Sequence, residues 1–469
     1  MMQGKNLKFE WISTTRGYLL FVLSFLFVLF NLIGVSAQSL LVTLTVISVI
    51  YSFPFMAIFP KIMALLMLGL GHYLYFTTPA DFGYWQQAML KNLPMVAMFI
   101  SVPLFAYPLR NGGYVHYITE LSKRLIKSPF KLFMNMSLGA MALTSFINLG
   151  SARIIFELFE GYIRGNNKFY TKALSQGFSL AMCWSPYIAG VAIVISMLDL
   201  PIFPFLFWGF LLVVTGSLVS MLLIYKEAKR LSLFSIESDA AKEMAGSKEI
   251  DASCRSVNKG REMIIVFAGM FISLFVLDYF LETNIVVLIS VVAFVYPVIW
   301  SICIKKTKAF FGSLTDYKVN VLSRMHNEAI LFIAAAFFAE MIKLTSVSQK
   351  LMALFVFVSE LTPLLVIFIT IFLVVLPTVV GIHQILPVSI LGTSIAVSSL
   401  SVSPEAFGLC LMAGWSLSTV ISPVTGLNLT LSSLLNKNPY VVGFWNLPYV
   451  LTALVAFSFV IYLVNIFTV

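Results

Sequence analysis

Residues 146–153 read Phe146-Ile147-Asn148-Leu149-Gly150-Ser151-Ala152-Arg153, and residues 380–384 read Val380-Gly381-Ile382-His383-Gln384. Each stretch interrupts a long apolar run at a glycine. A second interruption follows 35 residues after Gly150, at Ser185-Pro186 with Gly190, and 41 residues after Gly381, at Ser422-Pro423 with Gly426. Glycine frees the backbone, while proline removes an N–H and blocks the helix before it. The same order thus occurs twice: apolar arm, glycine tip, apolar arm, helix broken at Ser-Pro. Such paired interruptions at corresponding places in two halves are the sequence mark of an inverted-repeat transporter.

The surrounding composition agrees. The 469 residues are 60% hydrophobic and 11% charged, with a mean hydropathy of +0.96. A soluble domain of that makeup would expose too much apolar surface. A bilayer accepts it, and at about 20 residues per span the chain holds roughly a dozen. Apolar stretches run 18–35, 39–58, 62–77, 94–109, 130–147, 170–198, 203–225, 263–280, 285–304, 328–346, 362–378, 405–435 and 440–468. The net charge of +10 is the Lys/Arg excess of cytoplasmic loops and does not point to nucleic acid. Cys183, Cys254, Cys303 and Cys410 lack metal-ligand spacing and form no disulfide framework. Lys5, Lys8 and Arg16, the run 18–35 and Ser36-Ala37-Gln38 imitate a signal peptide. The run is longer than an h-region and a second one begins at Ser39, so the sequence predicts an uncleaved first span.

Charge sets the topology. Let 130–165 be a hairpin entering from the cytoplasm and 362–399 one entering from outside. Eleven stretches then cross, with the N-terminus inside and the C-terminus outside. Twenty-six of the 30 basic residues fall on the cytoplasmic side and three (Lys91, Lys343, Lys350) outside, with Arg153 left in the membrane. Full crossings in place of the hairpins would put the basic loops 226–261 and 305–324 outside. The chain divides accordingly: scaffold spans in 1–92; a first repeat in 93–225, with an interfacial helix at 114–127, the hairpin 130–165 and the broken helix 170–198; a polar cytoplasmic linker in 226–262; linking spans and a basic loop in 263–327; and a second repeat in 328–469, with the hairpin 362–399 and the broken helix 405–435. The interfacial helix is read from Tyr114, Ile118, Leu121 and Leu125 on one face, with Lys123, Arg124 and Lys127 beside them.

This arrangement resembles the ion transporter superfamily, and within it the architecture of the divalent anion:sodium symporters. The resemblance covers most of the chain after about residue 90 and lies in the order of parts more than in letters. It implies an all-α, elevator-type transporter of the plasma (inner) membrane, a homodimer, carrying an anion with a coupling cation. Those symporters carry Ser-Asn-Thr at both tips. Here that motif is not retained, and only Asn148 and Ser151 offer comparable side chains.

Backbone groups freed at membrane depth are tolerated only where protein or a wet cavity satisfies them, and helix N-termini there favour anions. The candidate substrate-binding residues are therefore Asn148, Gly150, Ser151 and Arg153 at the first tip and Ser185 at the first break. At the second tip they are Gly381, His383 and Gln384, and at the second break Ser422, Thr425 and Asn428. A sodium ion would sit near Asn148, Ser151 and Thr425. Arg153 has three readings: its guanidinium fork binds a carboxylate or phosphate, it pairs with Glu157 one turn on, or it snorkels to the interface. His383 likewise carries a coupling proton or bonds freed backbone as a neutral ring. Glu340 and Lys343 are placed to pair.

The function expected is secondary active transport of a small carboxylate or phosphate-like anion, driven by a proton or sodium gradient, with no other cofactor. The alternatives are a flippase or exporter of a lipid-linked anion and a cation/proton antiporter. An antiporter needs a buried carboxylate; neither tip supplies one, and Glu157 is the nearest. The sequence shows no clustered acids or histidines of a membrane enzyme and no GxxxxGK[ST] stretch for ATP. The topology makes a direct prediction. With Cys183, Cys303 and Cys410 changed to alanine, Cys254 should resist an impermeant maleimide in intact cells and react in inverted vesicles. Labelling from outside would reverse the topology.

Overall fold

A chain that must satisfy its own N–H and C=O groups in hydrocarbon has the helix as its solution, and all regular structure among the described residues is helical. The computed structural model describes residues 2–125, 128–147, 150–163, 167–231, 252–281 and 283–469. Asn148 and most of the linker 226–262 lie outside these residues. Three helices come first: α1 (Met2–Leu32), α2 (Gln38–Ser52) and α3 (Ile58–Thr77). Next, α4 (Phe82–Leu90), α5 (Leu93–Ser101) and α6 (Ala106–Asn111) form one long segment interrupted just ahead of Pro94 and again at a 3-10 turn holding Pro103. Then come α7 (Tyr114–Leu125), α8 (Pro129–Ile147), α9 (Gly150–Ile163), α10 (Asn167–Ala181), α11 (Ala189–Leu198) and α12 (Ile202–Leu231). The second half holds α13 (Ala252–Phe280), α14 (Ile285–Cys303), α15 (Thr307–Asp316), α16 (His326–Lys343), α17 (Ser346–Leu361), α18 (Pro363–Val379) and α19 (Ile385–Ser394). It ends with α20 (Pro404–Ile421), α21 (Gly426–Leu435), α22 (Pro439–Phe444) and α23 (Leu447–Thr468).

Among the described residues, nine helices are long and apolar enough to cross a membrane, and a tenth is a pair bent by 44°, Thr307–Arg324 with His326–Lys343. The sequence reading counts one more crossing, the broken pair α10–α11, whose two helices are each shorter than a span. The second arm at each tip is short. At 1.5 Å per residue, α9 and α19 reach about 21 and 15 Å, less than a hydrocarbon core of about 30 Å.

The order of elements from α7 to α12 returns from α17 to α23. In each half a helix pair packs against a broken helix, α8 on α10 and α18 on α20. The half-helices α11 and α21 are both ten residues long, and both end on a left-handed residue, Asp199 and Asn436, each with φ 50° and ψ 49°. Short polar side chains tolerate that conformation. The next N–H turns back in both, Leu200 to the Ile195 carbonyl and Lys437 to the Ser432 carbonyl, each at 3.0 Å. The two breaks also share a packing device. The Cys183 carbonyl abuts Gly209 of α12, and the Ile421 carbonyl abuts Gly443 of α22, with no room for a Cβ at either glycine. At the centre α10 and α20 touch: the Ser416 hydroxyl donates to the Ser179 carbonyl at 2.8 Å.

Two elements depart from the sequence reading. Helices α15 and α17 are absent from it, because polar residues dilute their apolar faces. In α17, Val347, Leu354, Phe357 and Leu361 share one exposed face, a spacing that suits a lipid-facing surface helix. The pairing of Glu340 also differs. It meets Lys91 at 3.5 Å and accepts from the Tyr84 hydroxyl at 3.1 Å, because α4 packs alongside α16 there.

The glycine contacts yield a prediction. Gly209→Ala and Gly443→Ala should each destabilise the fold by about 1–3 kcal/mol through overpacking, read as a lower melting temperature in detergent. Gly312→Ala, where a Cβ meets open space, should leave it unchanged.

Candidate functional site

The second tip is built by a helix end. Gly381 at φ +98° follows α18; its N–H bonds the Thr378 carbonyl, and the Ile382 N–H bonds the Pro377 carbonyl, both at 3.1 Å. This is a Schellman cap, which needs a left-handed residue at the position Gly381 occupies. The turn delivers His383 and Gln384 to the start of α19. The Ile385 N–H donates to His383 Nδ1 at 3.2 Å. A ring nitrogen that accepts carries no proton, so the imidazole is neutral with its hydrogen on Nε2. Gln384 is 5% exposed, and its Oε1 has no hydrogen-bond partner.

These side chains line a cavity of 340 Å³ together with Phe99, Glu328, Phe332, Trp415 and Thr425. A second cavity, of 430 Å³, is lined by Gly150 and Arg153 from the first tip and by Arg110, Arg324, Tyr187 and Glu328. Phe99 and Glu328 belong to both walls. The two tips, from distant parts of the chain, therefore border adjoining spaces. Three arginines are among the residues lining the larger one, and arginine suits an anion.

The remaining sequence candidates serve the backbone. The Ser185 hydroxyl donates to the Ser145 carbonyl at 2.9 Å, tying the first break to α8. Ser151 Oγ lies 2.7 Å from Thr144 Oγ1 across the first tip. At the second break, Asn428 Nδ2 donates to the Val420 and Ser422 carbonyls at 3.0 and 2.8 Å. The Thr425 hydroxyl donates to the Thr419 carbonyl at 3.0 Å and accepts from the Asn428 N–H at 3.3 Å. Ser422, Thr425 and Asn428 are buried, and of the three only Thr425 lines a cavity described above. Arg153 forms the ion pair left open by the sequence, Nε to Glu157 Oε1 at 2.7 Å, with both side chains more than half exposed. The pair holds the guanidinium at the cavity wall.

The sequence reading passed over Glu328, Arg110 and Arg324. Glu328 opens the apolar stretch 328–346, where a boundary charge needs no explanation. The two arginines stand in basic loops, where charge is expected. One signal was available: Glu328 is the sole acidic residue between Asp316 and Glu340, facing a run of eleven residues without charge. The bonds at the second break give a prediction. Asn428→Ala removes the donor from two buried carbonyls, at about 1–3 kcal/mol each, and should lower the melting temperature well beyond Ser432→Ala on the same helix.

No protein-family model and no curated protein matches this sequence. Solved structures that share its fold include two transporters. The YdaH transporter of Alcanivorax borkumensis, described as having an unusual topology, is 17% identical with a TM-score of 0.50, over 86% of this chain and 97% of that one. MtrF of Neisseria gonorrhoeae, described within a class of antimetabolite efflux pumps, is 14% identical with a TM-score of 0.53, over 87% of this chain and 94% of that one. At such identities the likeness is one of fold, and the fold is that of a multi-pass membrane protein.

Proposed function

We propose that this chain is a secondary active transporter of a small carboxylate or phosphate-like anion, coupled to a proton or sodium gradient. The observation that carries the reading is the pair of adjoining cavities: Arg110, Arg153 and Arg324 on one, the polar tip His383–Gln384 on the other. A guanidinium fork matches a carboxylate or phosphate in two parallel bonds. The short second arms and the returning order of elements support an inverted repeat whose tips meet at the substrate. In this reading the two hairpin–broken-helix units move as elevators against the other spans, and the protein works as a homodimer. The fold it shares with two transporters supports transport as the activity. Efflux, described for MtrF, makes export a direction to be measured.

One observation favours cation/proton antiport instead. Glu328 is a carboxylate of the kind an antiporter uses. The three arginines around the same space oppose a cation, so anion transport is the stronger reading.

Reconstituted protein should move at least one of labelled acetate, succinate or phosphate under an imposed proton or sodium gradient. Arg153→Ala should reduce that transport about 10- to 100-fold, the worth of a charged hydrogen bond. Arg153→Lys should recover little, because it loses the planar fork. The double change Arg153→Ala with Glu157→Ala should stay defective. Near-normal transport by the double variant would make the ion pair structural and move the site to His383 and the Ser-Pro breaks.

A further inference from the structure

We propose that Glu328 is where a proton is taken up together with the transported anion, so that the protein is a proton–anion symporter. This rests on the anion reading of the cavities above and names its coupling ion and the residue that holds it.

Glu328 stands in the first turn of α16 and is a wall of both cavities. It is half-buried, and the space it faces is cavity. Among the described residues no basic group lies within ion-pairing distance of it. The charged groups around the shared space come from several elements: Arg110 from α6, Arg153 from α9 in its pair with Glu157, and Arg324 from the turn before α16. Tyr107 and Tyr187 also face it, but their hydroxyls donate elsewhere, to Asp316 and to the Met270 carbonyl. His383 faces it from the second tip as a neutral ring. His326, beside it on α16, lies against the Ser323 and Phe55 carbonyls at 3.0 and 3.1 Å. Arg16 of α1 covers the Phe55 ring, and Lys61 of α3 bonds the Pro54 carbonyl. Helices α5 and α19, packed against α16, carry no ionisable side chain.

An anion drawn in by the arginines arrives beside the one carboxylate on their wall. Like charges in a half-dry space cannot both stay ionised without cost. Binding the anion therefore favours protonation of Glu328, and protonation favours the anion, by an equal factor in each direction. The coupling has this sign at every pH, and the uptake is counted where Glu328 is ionised before the anion arrives. The proton comes from water on the side where the anion enters, forms an O–H bond on the carboxylate, and returns to water on the other side as the anion leaves. A sodium ion would have to sit among three guanidinium groups, whereas a proton adds to the carboxylate itself. His383 is a poorer carrier, because its Nδ1 is committed to the Ile385 N–H.

The test is calorimetric titration of the purified full-length protein with acetate, succinate and phosphate, in two buffers of equal pH and different ionisation enthalpy. The difference in heat counts protons. Wild-type protein should take up about one proton per anion bound, and its affinity should fall about tenfold per pH unit once the carboxylate is ionised. Glu328→Gln should bind without proton uptake and with affinity independent of pH. Binding by wild-type protein without proton uptake at every pH tested would overturn the proposal even if Glu328→Gln fails to fold, and so would uptake that persists in Glu328→Gln. If no anion of the panel binds wild-type protein at any pH, the anion reading falls and this inference with it.

Discussion

Every backbone N–H and C=O that leaves the helical ladder inside hydrocarbon must find its partner in the protein. The rest of this structure follows from how that requirement is met at two tips and two breaks. At the first break the N–H groups of Met182, Cys183 and Trp184 tighten onto carbonyls three residues back, and the Cys183 carbonyl is closed off by Gly209. At the second break, Asn428 and Thr425 take the freed carbonyls of Thr419, Val420 and Ser422, and Gly443 closes off Ile421. The side chains that look most like ligands from the sequence are thus the ones the backbone uses first. With the breaks satisfied from within, the residues that face open space belong to the second tip, to the wall of α16 and to the arginines.

That division decides what the chamber can do. Arg110, Arg153 and Arg324 line it and give it an excess of positive charge. The apolar walls of Phe99, Phe332 and Trp415 keep the medium poor in water, so each charge acts over a longer reach than it would in solvent. In such a space the sign of every ionisable group matters. In the proposed reading Glu328, which lines the cavity beside these arginines, ties the binding of an anion to the binding of a proton.

Much of this was legible in the sequence, and the reason is physical. A glycine that must be left-handed, as Gly381 is, and prolines that must end a helix, as Pro186 and Pro423 do, announce themselves by residue type. Apolar runs of span length announce the helices. What stayed hidden depends on partners far along the chain. The bond from Tyr84 and the ion pair from Lys91 to Glu340 join helices more than 240 residues apart in sequence. Glu328 looked like a boundary charge until α5, α6, α9 and the second tip were seen around it. The face of α17 was diluted below notice because a helix at a surface needs only one apolar side. Arg153 could be read three ways, and only coordinates place its guanidinium on Glu157.

The account stands or falls on where an anion sits. Crystals grown with selenate or bromosuccinate would answer this through the anomalous signal of selenium or bromine. The account predicts a peak in the paired cavities, between Glu328 and the guanidinium groups of Arg110, Arg153 and Arg324. A peak confined to the lipid-facing or loop surfaces, with the cavities empty of signal, would contradict it.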